Sequence, residues 1–132
     1  MSDAVQEANY MVRALKGKQF EWPIYYDIEE TSIFNAGIAN DIANAFCEVL
    51  EANKYYCGIY SNTKAFNNYF NDYVKTRYTI WLSHWNEDPI YEGKYDVLQY
   101  GSGGFPGILE VDLNKGYLDF EPLMKQYGLN GY

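Results

Sequence analysis

The chain is short of cysteine, histidine and positive charge, and each shortage removes a class of function. Only Cys47 and Cys57 occur in 132 residues. Two cysteines make no disulfide framework and their spacing suits no metal site, so both read as free thiols, which fits a reducing compartment. The single histidine, His84, has no serine or cysteine nucleophile pattern to serve and reads as structural or groove-lining. Lys and Arg number 10 against 18 Asp and Glu, a net charge of −8. That balance argues against phosphate backbones and so against nucleic acid as a partner. No apolar run has membrane-spanning length, and no charged segment followed by an apolar one opens the chain. The expectation is a protein made without a secretory signal and not inserted in a membrane. "GSGGFPG" looks like a phosphate loop but lacks the Lys-Ser/Thr and the helix start, so it reads as a strand connection.

Aromatic residues are abundant, at 19% with 15 tyrosines. They serve either as an amphipathic binding surface or as layers around a core. The length suits one domain, and no repeat or linker divides it. Val5, Ala8, Val12 and Leu15 follow helical spacing with Met11 beside them, and Gly17 stands at the C-cap position. In "FEWPIYYDIE" one parity is Phe20, Trp22, Ile24, Tyr26 and Ile28; the other carries Tyr25, Asp27 and Glu29. As a strand, this has one apolar face and one acidic face.

"GIANDIANAFCEVLEANKYY" is the clearest helix, with Ile38, Ile42, Phe46 and Val49 on one stripe and Cys47 off it. "YYCGIYSN" reads as a strand and "TKAFNNYFNDYV" as one more helix. "YTIWLSHW", "YDVLQY" and "GILEVDLN" read as strands separated by "NEDPIYEGK" and "GSGGFP", which are turn chemistry. The order is helix, strand, helix, strand, helix and three strands. The first part implies parallel β/α units; the last has loops too short for crossover helices.

In such an arrangement functional side chains gather at the carboxyl ends of strands. Asp27 and Glu29 stand at one such end, Tyr60 and Ser61 at the next, Trp81 and Ser83 at the third, Asp112 and Asn114 at the last. Carboxylates beside aromatic platforms suit glycosidic chemistry. One acid donates a proton to the leaving oxygen, and another negative group stabilises the developing positive charge. Two neighbouring carboxylates push their pKa values apart, which keeps one protonated near neutrality.

Taken together and in order, "PIYYDIE", "GIYSN", "IWLSHW", "YDVLQYGSGGFPGI" and "VDLN" resemble the glycoside hydrolase family 25 lysozymes, the muramidases of phage endolysins and bacterial autolysins. The resemblance implies an irregular β/α barrel, of which this chain, residues 1–132, carries the last five strands without the first three β/α units. It implies Glu29 as general acid/base, Asp27 as the carboxylate that stabilises a positively charged intermediate, and Asp112 as an electrostatic support. Tyr25, Tyr60, Trp81 and Gln99 would line the glycan groove, with no metal or organic cofactor. The substrate it implies is peptidoglycan, cut between N-acetylmuramic acid and N-acetylglucosamine. The protein would wait in the cytoplasm of a phage-infected or prophage-bearing cell until released to the wall.

The family's opening Asp, across the cleft from the D-x-E pair, has no counterpart before Asp27. Asp3 falls in what reads as a helix N-terminus. An open sheet of five strands exposes edges and an apolar inner wall. The expectation is therefore self-association, most simply as a dimer, or pairing with a complementing N-terminal segment. Two alternatives stand beside the muramidase: a catalytically impaired module that binds wall glycan or a partner chain, and a different β/α glycosidase.

Overall fold

The computed structural model describes residues 2–85, 88–105 and 108–132. α1 (Ser2–Leu15) ends where Gly17 takes φ +80°. Its most buried residues are Ala4 and Ala8 rather than Val5, which is exposed. Alanines on that face let α1 lie close against α3 (Ala39–Ala52). Between them come β1 (Ile24–Asp27) and the short α2 (Thr31–Asn35).

Ile42 and Phe46 of α3 are buried as their spacing predicts, but so are Ala39, Ala43, Cys47 and Leu50. α3 is covered by α1 on one flank and by the sheet on the other, so its buried arc is wider than one stripe. Cys47 therefore lies inside, although its spacing puts it off the stripe. Its Sγ is 2.7 Å from the Sγ of Cys57, with both thiols free.

β2 (Cys57–Asn62) leads into α4 (Thr63–Asn68) and α5 (Asp72–Arg77), two helices where the sequence pattern predicts one. The break has a local cause. Asn62 and Asn71 each turn a side-chain oxygen onto a backbone N–H of the next turn, Ala65 at 2.8 Å and Val74 at 2.9 Å. Asparagine competes with helix continuation in this way, so each one starts a helix of its own.

β3 (Thr79–Ser83), β4 (Val97–Phe105) and β5 (Ile108–Gly116) complete the sheet, and α6 (Glu121–Tyr127) follows them. The strand order is β1-β2-β3-β4-β5, the first four parallel and β5 antiparallel to β4. β4 runs parallel to β3 although the described part of the connection, residues 84–85 and 88–96, is irregular rather than helical. "GSGGF" is not a connection: it extends β4 into a long bulged pair with β5. Asn86, Glu87, Pro106 and Gly107 of the two expected connections lie outside the described residues.

The core fills the helix-covered face. Ile59, Ile80 and Leu82 of the sheet are buried with Leu50, Phe66 and Val74 of the helices. At the other end, buried Asn130 accepts from Tyr56 N–H at 2.8 Å and donates to the Trp22 carbonyl at 2.9 Å, tying the segment after α6 to the starts of β1 and β2.

Candidate active site

Strand parity sends the opposite set of side chains to the uncovered face. Tyr25 and Asp27 of β1, Tyr60 and Asn62 of β2, Trp81 and Ser83 of β3, and Gln99 of β4 share it. Contacts across strands bear this out. The Tyr25 and Tyr60 rings meet Trp81 edge-on at 5.4 Å and 4.7 Å between centroids. Tyr60 Oη, Ser83 Oγ and Trp85 Nε1 all donate to Gln99 Oε1, at 3.1, 3.3 and 3.2 Å. The indole can only donate, so it fixes which end of the Gln99 amide faces the cluster.

Glu29 lies just beyond the end of β1. With Tyr60, Asn62, Lys64, Ser83, Trp85, Asp88 and Gln99 it lines a hollow of about 490 Å³ at the carboxyl ends of β2 and β3, where Gln99 near the start of β4 pairs with Ser83. Glu29 as a residue is exposed, but its carboxyl end is partly removed from water and hydrogen-bonded to Asp27. Desolvation first, then the bond to Asp27 and its negative charge, raise the Glu29 pKa to about 7, while a hydrogen bond from Asn62 lowers it. Burial, with the charges of Glu29 and Asp27 adding to it, also raises the Tyr60 hydroxyl. A carboxyl poised near neutrality can give up a proton and take one back.

The remaining sequence candidates are distributed around this hollow. Tyr25 and Trp81 line a second one, about 450 Å³, with Trp22, Pro23, Val97, Asn114 and Gly116. The Tyr25 hydroxyl is already engaged: Thr79 Oγ1 donates to Asp96 at 2.7 Å, so the 3.1 Å bond between Tyr25 and Thr79 is donated by the tyrosine. Trp81 Nε1 donates to Asn114 Oδ1 at 2.8 Å. Asp112 is exposed and sits within β5 opposite Ser102, three positions along β4 from Gln99, rather than at a strand end. Asp27 is the acid whose charge and hydrogen bond raise the Glu29 pKa. His84 Nδ1 is 2.7 Å from Thr63 Oγ1, which ties the start of α4 to the end of β3.

Asn62, Ser83 and Trp85 also join the site; they fall inside "GIYSN" and "IWLSHW", but the sequence attaches no role to them. Their signal is positional: each follows a strand core at its carboxyl end, where a loop opens.

The family model for Glycosyl hydrolases family 25 matches residues 1–108. The chain belongs to that family. Its mixed α/β architecture with a five-stranded, mostly parallel sheet is consistent with the fold of family 25. No curated protein matches the chain. Among solved structures it is similar to the CTP1L endolysin at TM-score 0.71 and 21% identity, over 95% of this chain and 45% of that one. The crystal structure of that endolysin was described as revealing how its activity is regulated by a secondary translation product. The family 25 chain here thus spans less than half the length of that neighbour. Among its described residues no helix is long and apolar enough to cross a membrane.

Proposed function

We propose that this family 25 chain is a peptidoglycan hydrolase of the N-acetylmuramidase type, cutting between N-acetylmuramic acid and N-acetylglucosamine. The observation that carries the reading is the Glu29 carboxyl, held near pKa 7 by desolvation and Asp27 at the edge of a sugar-sized hollow. Glu29 protonates the glycosidic oxygen as the bond from C1 breaks, and the resulting carboxylate later takes a proton from the water whose oxygen bonds to C1 and resolves the intermediate. Asp27 is hydrogen-bonded to Glu29. It therefore stands on the same side of the sugar and cannot attack from the opposite face, which needs about 5 Å or more between carboxyls. Its role is to stabilise the cationic intermediate, one formed with the N-acetyl group of the substrate. Tyr60 and Gln99 hold the sugar at the first hollow, Tyr25 and Trp81 offer ring faces at the second, and Asp112 supports the site electrostatically. The protein acts on the wall after release from the cytoplasm of a phage or prophage host, as a self-associated species.

Turbidity clearing of purified cell walls tests this. Wild type is expected to clear, and Glu29→Gln to lose about 10²-fold or more in rate, since a general acid contributes about that much. Equal clearing by the two removes Glu29 from the mechanism. One observation favours a second reading, a non-catalytic module that binds wall glycan: Asp112 is exposed and lies within β5 opposite Ser102, away from the end of the strand. Walls bound but not cleared by either protein would decide for that reading.

A further inference from the structure

Asn62 sits where β2 hands over to α4, and the two ends of its amide have different duties. Its Oδ1 accepts the Ala65 N–H at 2.8 Å, the N-cap bond of α4. Only an oxygen can accept that bond, so one of the two amide orientations is fixed and the NH2 group points elsewhere. The neighbouring ladder sets where. Asp27 pairs with Tyr60 in the β1–β2 register. The pairing continues past β1, with Ile28 N–H donating to the Tyr60 carbonyl at 3.0 Å and Ser61 Oγ donating to the Ile28 carbonyl at 2.6 Å. One further step brings Glu29 beside Asn62, and both line the 490 Å³ hollow. We infer that Asn62 is a positioning residue: with its oxygen committed to α4, its NH2 group donates to Glu29 and holds that carboxyl over the hollow.

This rests on Glu29 being the proton donor proposed above. The bond has a definite electrical sign, because a donor favours the charged form of a carboxyl. The other groups facing Glu29 are Asp27 on β1, Tyr60 on β2, Lys64 on α4 and Asp88 after β3. Against the desolvation and the Asp27 charge, Asn62 stabilises the carboxylate left once the proton has been given away. That carboxylate is the base the second half of the reaction needs.

Asn62→Ser separates the two duties. Serine caps a helix about as well as asparagine, but its hydroxyl is too short to reach Glu29. A ¹³C NMR titration of the Glu29 carboxyl in the full chain reads the contact without substrate. The Glu29 midpoint is expected to rise by about one unit, with a thermal midpoint close to wild type. The alkaline limb of the wall-clearing profile should move up with it. An unmoved Glu29 midpoint overturns the inference. If Asn62→Ser loses its fold, Asn62→Thr keeps a cap oxygen, adds no charge and likewise lacks the donor. The same rise is expected there, and a midpoint that stays in place overturns the inference equally. A chain that shows the NMR shift but clears no walls sinks the hydrolase reading and leaves the positioning intact; clearing with an unmoved midpoint and profile does the reverse.

Discussion

Glu29 is a carboxyl whose folded surroundings favour the protonated form, and that preference has a thermodynamic consequence apart from catalysis. Its pKa rises from 4.5 to about 7 on folding. Between those values the folded chain keeps a proton that the unfolded chain gives up, so stability falls as pH rises through that window. Glu29→Gln cannot ionise and escapes the loss. Its thermal midpoint is expected above that of wild type at pH 8 and close to it at pH 4. The gain is about 1 kcal/mol, well below the full worth of the shift because the residue is exposed and screened by solvent. Calorimetry at the two pH values checks this; an equal difference at both would show that the carboxyl is not perturbed by folding. A variant that is more stable and less active is the expected mark of a side chain kept for chemistry rather than for the fold. The D-x-E spacing is enough to place Asp27 and Glu29 on one side of the chain, because strand parity is a local property. What the spacing does not contain is Asn62, whose part depends on how β2 lies beside β1.

At the scale of elements, the β2–β3 junction depends on one missing side chain. Gly58 pairs with Thr79 on one side and with Tyr25 on the other. A methyl group there would overlap the Thr79 carbonyl and side chain and stand 2.7 Å from Tyr25 Cε1. Gly101, in β4, has nothing within 4 Å of the corresponding position. Gly58→Ala is expected to cost about 3 kcal/mol, since a backbone carbonyl cannot rotate away. Gly101→Ala is expected to stay within about 0.5 kcal/mol of wild type. Denaturant unfolding of the pair checks the contrast, and equal losses would mean that the close approach of β2 and β3 is not what the glycine serves. Number and order of strands are legible in alternating runs and turn residues. The length of β4 is not, because "GSGGF" has turn composition and becomes strand only through pairing with β5. α6 is short and its apolar pattern slight, although Pro122 near its start and Gly128 at φ +63° after its end are ordinary helix punctuation. The split of α4 from α5 is hidden for the opposite reason: apolar periodicity runs through Asn71, and only the cap bond ends it.

For the whole molecule, the question is what covers the free side of β1. β1 pairs with β2, and among the described residues no other strand flanks it. Beside it lies a hollow of about 760 Å³, lined by Tyr10, Met11, Tyr25, Tyr26 and Phe46 with four polar residues of α1. Tyr10 is 69% exposed and Trp22, next to the second hollow, 52%. An unpaired parallel strand beside exposed aromatic rings is a surface that associates. A second copy is the proposed cover, by the two-fold contact that most soluble oligomers use. The net charge of −8 opposes this at long range. Salt shortens the reach of that repulsion to about 3 Å at 1 M while leaving apolar burial in place. Sedimentation velocity is therefore expected to show association that tightens as salt is raised, the reverse of a contact held by opposite charges. Tyr10→Glu adds charge to the wall of the hollow without touching the interior and should weaken association about tenfold. A wild-type chain that stays monomeric at high protein concentration and high salt would mean that the edge tolerates water as it stands. A dimer that forms only on adding a separate peptide would instead assign the cover to a complementing segment.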